Sequence, residues 1–597
     1  MKNRLCNLLL ASLLLASALP TQAQTFRGGI AGIITDSTGG VLAGAVVKAV
    51  NTATGFSRAT ISSGAGDFAF QDLPLGVWQV TVSHPGFETA VVANVNVEVG
   101  QIANLPLKMG VASVTSVVQV EASSVMVDTV SATLNTVIPN KAVQEIPLNG
   151  RDFTQLVKLT PGVVNGSVNG ARSSQNNWQI DGADNNDLWQ NSAAVNQGGV
   201  AGIAGTLLPI EAIDQFSVTS DGTAEYGRNG GGSINMVIKS GTNALHGSLY
   251  YFNRNDALAV TPPFATYKPK LKNNQYGVSL GGPVRKNKLF YFLTYERQKL
   301  IAGNSTPVTE PSAAYVTAAT AVLNQYGIAV NPVATNLLSF WPARGRTGPA
   351  AAQNFVSTDN SLDYSDNGIA KFDYVLNDKN NLSFRYFIGT GSQTAPVGSA
   401  YHEYYQVVPS HMHNFSLVYN RVISPRMVNQ VLAAVNYFLQ NFNDFDNSFN
   451  PIAAGLNTGV TDPSLGGAPI LSISGFDTTG PTPPLGRIDT TGHITDTVTL
   501  TAGRHQLRFG GEYRRSHNDV YYQRSKRGSF SFDGTQGPWS ADKSITDPNV
   551  RSLADFLAGY VSTSSIVFGD LQRIYNENAF EFFVQDTYQV ISKLSLN

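Results

Sequence analysis

The chain has 597 residues, with 40 lysines and arginines, 41 aspartates and glutamates, and one cysteine. The net charge of −1 and the scattered basic residues give no basic stripe of the kind that binds nucleic acid. Because the only cysteine, Cys6, lies in the apolar N-terminal segment, the rest of the chain offers no disulfide framework, thiolate metal site or cysteine nucleophile.

The first predicted element is a secretory signal peptide at residues 1–23. Lys2 and Arg4 precede an apolar run that begins at Leu8, and Thr21-Gln22-Ala23 fits a cleavage site before Gln24. A buried N-terminal helix is the alternative. The run is shorter than the ~18 to 20 apolar residues of a membrane-spanning helix, and no other stretch reaches that length. If the mature chain crosses a membrane, it must therefore cross with strands.

Residues 24–112 are predicted to form a small β-sandwich, because short β-like runs alternate with turn clusters. In GVWQVTVSHPGF, Trp78, Val80 and Val82 share one face of a strand. The pattern GxxGxIxDSTGGxLxGAxV, followed by GDFxFxDLPxGxWxVxVxxPGF, resembles the carboxypeptidase regulatory-like domain. That resemblance implies a transthyretin-like sandwich with a carbohydrate-binding-like fold and no catalytic role.

Residues 113–140 are predicted to be an extended linker, and residues 141–244 an α+β plug. Asp152 precedes an apolar set that Thr160-Pro161-Gly162 ends, which predicts a short helix. The stretches NGARSSQNNWQIDGADNND and PIEAIDQFSVTSDGTAEYGRNGGGSINMVIKSGTN resemble the plug of TonB-dependent outer-membrane transporters of the Oar-like subgroup. The order of sandwich, plug and barrel is typical of that subgroup.

The resemblance also implies a TonB box before the plug, a strip that adds as a β-strand to the energising partner. An ordinary linker is the alternative. By position the candidate residues are Val117, Val118, Gln119, Val120, Glu121 and Ala122. The implied partner is the inner-membrane TonB–ExbB–ExbD complex, driven by the proton gradient. No nucleotide-binding motif is present, which agrees with an external energy source.

Residues 245–597 are predicted to form an antiparallel transmembrane β-barrel. NNLSFRYFIG, residues 380–389, places Leu382, Phe384 and Tyr386 on one face and Arg385 on the other. Similar alternation recurs in runs of roughly 8 to 11 residues, the length that crosses a bilayer when tilted. Short links alternate with long ones, as expected for turns in the periplasm and loops outside. A soluble sandwich gives no reason for that asymmetry.

The predicted fold class is therefore mainly β: a sandwich, a plug and about half of a 22-stranded barrel. We count about ten to eleven strands, and the sequence reaches Asn597 as another strand begins, so we expect a fragment whose barrel is truncated. The predicted location is the outer membrane, in contact with its lipid, with the sandwich in the periplasm.

The favoured function is TonB-dependent import of a large ligand, of the oligosaccharide, peptide or siderophore type. The alternative is an adhesion or surface-structure protein of the same architecture. We expect no enzyme, no cofactor and no metal site, because DGADNND at residues 181–187 lacks a calcium-loop pattern and fits a solvated turn better. Aromatic residues are weak candidates for contacting the extracellular ligand: Trp178, Tyr401, Tyr404, Tyr405, Tyr521 and Tyr522.

Overall fold

The structure is a computed structural model. It describes residues 27–597 apart from 112–116, 122–133, 201–203, 221–223, 225–226, 262, 264–267, 305, 342–346, 461–465, 482–483, 524 and 592–593. The predicted signal peptide and Ala122 lie outside the described residues. Among the described residues, no helix is long and apolar enough to cross a membrane.

The N-terminal part is the predicted sandwich, with one further strand that comes from the predicted linker. Its strands are β1 (Gly28–Asp36), β2 (Val46–Asn51), β3 (Ser57–Ile61), β4 (Asp67–Leu73), β5 (Gly76–Ser83), β6 (Thr89–Val97), β7 (Ile102–Asn104), β8 (Leu107–Met109) and β9 (Val117–Glu121). One sheet has the order β4-β1-β7 with β8 also on β1, and the other has the order β3-β2-β5-β6-β9. Trp78, with no exposed surface, packs edge-on against Phe56 at 6.1 Å in the core between the sheets. The face of β5 that carries Trp78 therefore packs in the sandwich core, as its alternating sequence predicted.

The plug follows as a five-stranded mixed sheet. Its elements are β10 (Asn135–Pro139), α1 (Asn140–Glu145), β11 (Val163–Val164), β12 (Ser167–Val168), β13 (Asn177–Ile180), β14 (Ala183–Asp184), β15 (Ile213–Thr219) and β16 (Ser233–Ile238). The sheet order is β10-β15-β16-β13-β14, so its first strand lies within the predicted linker. The helix predicted after Asp152 is a 3-10 helix, Phe153–Leu159, and the Asp152 side chain accepts the N–H of Thr154 at its start.

The remaining strands form the wall of the barrel and the connections above it. In chain order they are β17 (His246–Asn255), β18 (Leu271–Arg285), β19 (Leu289–Gly303), β20 (Thr306–Val308), β21 (Phe355–Ser357), β22 (Asn360–Asn377), β23 (Asn380–Ala395), β24 (Gln406–Ser424), β25 (Met427–Asp444), β26 (Ile470–Ile473), β27 (Leu485–Ala502), β28 (His505–Tyr522), β29 (Ser529–Phe532), β30 (Thr563–Ser565), β31 (Gln572–Ile591) and β32 (Leu594–Leu596).

We call the eleven-stranded antiparallel sheet β17-β18-β19-β22-β23-β24-β25-β27-β28-β31-β32 the wall. Links of two or three residues join β18 to β19, β22 to β23, β24 to β25 and β27 to β28 at one end, the short-turn end. Long connections leave the opposite, long-loop end, as predicted. Strands β18 to β31 of the wall run 15 to 20 residues, so the predicted 8 to 11 was too short. Neighbouring strands remain hydrogen-bonded toward the long-loop end, beyond the length that crosses the membrane, and the strands are longer for that reason.

The alternation predicted for NNLSFRYFIG is confirmed. Arg385 and Phe387 are buried, whereas Leu382, Phe384 and Tyr386 are only half-buried on the opposite face. The same parity places Lys371 and Arg514 on the buried face of β22 and β28. That face surrounds the plug, so Lys371, Arg385 and Arg514 point toward it.

Four long connections fold together into a domain that we call the cap, formed by the described residues within 304–359, 396–405, 445–484 and 523–571. It contains α2 (Ala313–Gln325), α3 (Pro332–Leu337) and α4 (Pro548–Ala558), together with β20, β21, β26, β29 and β30. Its core draws side chains from all four connections, including Trp341, Tyr404, Leu471 and Trp539. Each helix begins at a side chain that accepts a backbone N–H, namely Ser312, Asn331 and Asp547. The segments predicted to be long loops therefore form an ordered domain.

The sandwich lies against the short-turn end of both the wall and the plug. Arg27 Nη2 donates to Asn381 Oδ1 at 3.1 Å, and Thr499 Oγ1 donates to Asp72 Oδ2 at 3.3 Å. The Val99 N–H donates to Gln215 Oε1 of the plug at 2.8 Å. These contacts fix the sandwich below the plug.

Candidate functional site

The loop of residues 181–187, which we call the aspartate loop, is buried rather than solvated. Asp181, Asp184 and Asp187 are each no more than 4% exposed. The expectation of a solvated turn was therefore wrong, because the wall covers the loop on the side that the sequence leaves open. Within the described residues, no cluster of three or more acidic, histidine or cysteine side chains is placed to bind a metal ion.

Each aspartate of the loop meets a cation from the inner face of the wall. Asp181 lies 3.2 Å from Arg385 Nε and 3.4 Å from Lys371 Nζ. The Asp184 carboxylate bridges Arg514 at 2.8 Å and Arg228 of the plug at 2.7 Å.

The third aspartate, Asp187, lies 3.6 Å from Arg487 Nη2. The three aspartates, spaced three residues apart, thus pair with cations on β22 and β23, on β28 and on β27, respectively.

Further hydrogen bonds complete this contact. Asn414 Nδ2 donates to the Asp184 carbonyl at 2.8 Å, and the Leu188 N–H donates to Asp489 Oδ2 at 3.0 Å. Higher on the plug, the Leu207 N–H donates to Asn367 Oδ1 at 2.9 Å. Buried charges are costly unless paired and hydrogen-bonded, and each aspartate of the loop and each of its wall cations has an ionic partner and at least one hydrogen bond. The plug is therefore held in the wall by specific polar contacts.

At the long-loop end, the plug presents an exposed aromatic side chain. Trp189, two residues after the aspartate loop, is 50% exposed and stacks on Tyr522 at 6.5 Å with a 27° angle between the rings. Tyr522 is the last residue of β28, so the pair joins the plug apex to the rim of the wall. An exposed aromatic face of this kind can stack on a sugar ring or an apolar side chain.

A polar cavity of about 500 Å³ lies at the rim near the same strands. It is lined by the long-loop ends of β25, β28 and β31 and by the cap, including Tyr521, Asp444, Arg527, Lys526, Asp570 and Gln572. Arg527 and Asp444 form a buried ion pair at its edge. The lining offers both donors and acceptors, which suits a ligand rich in hydroxyl or amide groups.

The six predicted ligand-contacting aromatics divide into two groups, two at the rim and four in buried positions. Tyr521 and Tyr522 lie at the rim and are half-buried. Trp178 is 8% exposed and packs against Phe153 in the plug core, so its assignment to a ligand surface was wrong. The other three, Tyr401, Tyr404 and Tyr405, are at most 1% exposed.

The burial of Tyr401, Tyr404 and Tyr405 corrects their assignment to a ligand surface. Tyr401 stacks on Phe355, and the Tyr404 hydroxyl donates to the Phe340 carbonyl at 2.6 Å. Burial, and after it the neighbouring Glu310 carboxylate, raises the pKa of Tyr401. These tyrosines support the cap, because connections distant in sequence close over them.

Sequence reasoning missed Trp189 and the three aspartates. A signal for the aspartates existed: acidic residues at 181, 184 and 187 face a wall whose inward positions were already predicted to carry cations such as Arg385. Which acid meets which cation depends on the height of the loop in the wall. The candidate TonB box is described over Val117–Glu121, where it forms strand β9 beside β6.

Two protein families match the chain. Residues 29–110 match the carboxypeptidase regulatory-like domain, and residues 237–597, more than half of the chain, match the outer membrane beta barrel domain. The chain belongs to the outer membrane beta barrel domain family. As an outer-membrane barrel protein it has its short turns in the periplasm and its cap outside.

One curated relative of this outer-membrane barrel protein matches a smaller part of the chain. The chain is 24% identical over 303 residues to the TonB-dependent transporter Oar of Myxococcus xanthus, a match that covers 47% of this chain and 27% of that protein. The resemblance to Oar-like TonB-dependent receptors is thereby confirmed. The chain therefore spans about a quarter of that curated relative in the match.

Two solved structures are also similar to this barrel protein. The outer membrane transporter YddB from Escherichia coli is 12% identical, with a TM-score of 0.48, over 76% of this chain and 54% of that one. The siderophore receptor PirA from Acinetobacter baumannii is 13% identical, with a TM-score of 0.42, over 78% of this chain and 55% of that one. Like the Oar relative, these proteins are named as transporters or receptors, not enzymes.

Proposed function

We propose that the chain belongs to a TonB-dependent transporter that imports a large ligand across the outer membrane. The observation that supports the proposal most directly is the plug held inside the wall by the ion pairs of the aspartate loop. Buried pairs of this kind do not separate without a cost of several kcal/mol. Moving the plug therefore requires work, which the proton gradient would supply through TonB–ExbB–ExbD.

The ligand is proposed to dock at the long-loop end. The exposed Trp189 face, Tyr522 beside it and the polar rim cavity with Tyr521 together offer stacking and hydrogen bonding. This chemistry favours an oligosaccharide or a peptide, with a siderophore-type ligand as the third class. Stacking aromatics and a few placed polar groups are the usual composition of such sites.

The alternative proposal is an adhesion or surface-structure protein. It is favoured by the cap, which is an ordered domain with its own core rather than a set of separate loops. Such a domain can bind a partner at the cell surface without any movement of the plug. Both proposals predict surface binding, and only the first predicts energised uptake.

Deleting Val117–Ala122 from the full-length protein separates the two proposals. Cells would be given a labelled maltooligosaccharide, a labelled tryptic peptide mixture and a ferric hydroxamate in turn, and both surface binding and internal label would be measured. We expect the deletion to abolish uptake and leave surface binding unchanged. An equal deletion of the following residues, 123–128, is the matched control and should retain uptake.

Two results would contradict the transporter proposal. One is uptake that survives deletion of Val117–Ala122, because such uptake would not depend on energy coupling through the candidate TonB box. The other is a wild-type protein that binds a probe at the surface and never internalises it, which would favour adhesion.

A further inference from the structure

The candidate TonB box is an element of the sandwich sheet. Strand β9 pairs parallel to β6 over five consecutive residues, from Thr89 opposite Val117 to Ala93 opposite Glu121. It is the fifth strand in the order β3-β2-β5-β6-β9. The strip therefore has a fixed backbone conformation before any partner arrives.

One side of strand β9 has no paired strand among the residues that the structure describes. It is the terminal strand of its sheet, and among the described residues only β6 is hydrogen-bonded to it. A terminal strand exposes a row of backbone N–H and C=O groups, and another strand can add to that row. The edge that the candidate box leaves open is the kind of surface used in strand addition.

We propose that the sandwich presents the candidate box as a ready-made edge strand, to which a strand of TonB's periplasmic domain adds. The proposal rests on the proposed function, since it assumes that Val117–Ala122 is the site TonB recognises. It goes further in assigning a task to the sandwich: TonB binds the strip while β9 remains on β6, and the partner's sheet continues the sheet of the sandwich.

The physical reason is preorganisation. A flexible strip must lose backbone freedom when it becomes a strand, and that loss weakens binding. Strand β6 has already ordered β9, and β6 is itself firmly held, since Ala90 and Val92 are at most 4% exposed in the sandwich core. The sandwich is in turn fixed to the plug through Val99 and Gln215. A strand held in this way meets its partner with less conformational entropy to lose.

The arrangement also accounts for the edge of the sandwich. Without β9, five residues of strand β6 would have unpaired backbone N–H and C=O groups at the edge of the sheet. Such an edge is a template for unwanted association. A cover for that edge is the plain structural role of β9. The two roles differ in one measurable respect, which is whether TonB binding requires β9 to leave β6.

A pair of cysteines can fix β9 to β6 and test the difference. Val91 lies in register with Gln119, and neighbouring strands are about 4.8 Å apart, within the Cα separation that a disulfide spans. The variant is Val91→Cys with Gln119→Cys, and the only native cysteine, Cys6, lies in the predicted signal peptide. The matched control is Val91→Cys with Val117→Cys. That pair is two residues out of register, which puts the Cα atoms about 8 Å apart.

The full-length protein would be purified, oxidised or reduced, and titrated with the periplasmic domain of TonB from the same bacterium. We expect the in-register pair to form a disulfide and the control pair to remain free thiols. We expect the Kd for TonB to be the same within about threefold, or tighter, when the disulfide is closed. Deleting Val117–Ala122 should abolish binding in the same assay.

The outcomes separate the inference from the function on which it rests. The inference is overturned if the closed disulfide weakens TonB binding tenfold or more, because β9 must then detach first. It is also overturned if the in-register pair fails to close, or if the closed form binds a second copy of this chain in place of TonB. If deletion of the strip leaves TonB binding intact, the proposed function fails instead.

Discussion

The ion pair between Asp181 and Arg385 provides the sharpest test of how the plug is held. Arg385 is 1% exposed, and its Nη2 also donates to the Ile180 carbonyl at 3.0 Å and to Asn414 Oδ1 at 2.6 Å. Arg385→Met removes all these contacts and leaves Asp181 with Lys371 at 3.4 Å and the Ile238 N–H at 3.0 Å. Removing one partner of a buried pair costs about 3 to 5 kcal/mol, and since Lys371 remains we expect about 3.

Hydrogen exchange measures that cost directly. A loss of about 3 kcal/mol raises the population of the locally opened plug roughly 150-fold, at 1.36 kcal/mol per factor of ten. The amides to follow belong to β13 and to Asp181, whose N–H donates to the Met236 carbonyl at 2.9 Å. We expect their exchange in the full-length protein to accelerate by about that factor.

The matched control is Arg297→Met, which breaks a pair with Asp366 in which the arginine side chain is 43% exposed. A pair of that kind contributes about 0 to 1 kcal/mol, so plug exchange should stay within a few-fold of the wild type. The double variant Asp181→Asn with Arg385→Met should cost less than the two single changes added together, by about 0.5 to 3 kcal/mol. Exchange that is unchanged in Arg385→Met, or strictly additive effects in the double variant, would refute the reasoning.

Two further predictions concern the cap. Trp539 is fully buried and donates from Nε1 to Asp555 Oδ1 at 2.9 Å, so Trp539→Ala should cost about 3 to 5 kcal/mol. Protease added to whole cells should then cut the cap, whereas Trp189→Ala should leave it resistant; an uncut Trp539→Ala cap would contradict the assignment of this core. The hydrogen bond from the Ser544 hydroxyl, followed by those from the Ser544 N–H and the Tyr326 hydroxyl, lowers the pKa of Asp542 from 3.8 to about 2. Because the folded pKa is the lower one, this stabilisation is present above pH 3.8 and disappears as the pH falls to about 2. Asp542→Asn should therefore flatten the fall of the cap's melting temperature between pH 4 and 2, and an unchanged profile would show that another group controls it.

The sequence by itself determined the wall and its two faces. Alternation with a period of two forces Arg385 and Phe387 to one side and Phe384 and Tyr386 to the other, whatever the strands surround. The unequal links also followed from the sequence, because a two-residue link between alternating runs leaves only a tight turn. The sandwich followed from its turn spacing and from the face shared by Trp78, Val80 and Val82.

Only the tertiary structure decided which polar and aromatic residues are buried. The aspartate loop looks like a solvated turn because the wall cations that cover it lie about 190 to 330 residues further along the chain. Tyr401 and Tyr404 look like exposed loop residues because the side chains that cover them come from three other connections. The pairing of β9 with β6 belongs to the same group, since β-pairing depends on which edge is free and not on the paired sequence alone. Local pattern fixes the side of a strand, whereas burial at these sites depends on neighbours that only folding brings within reach.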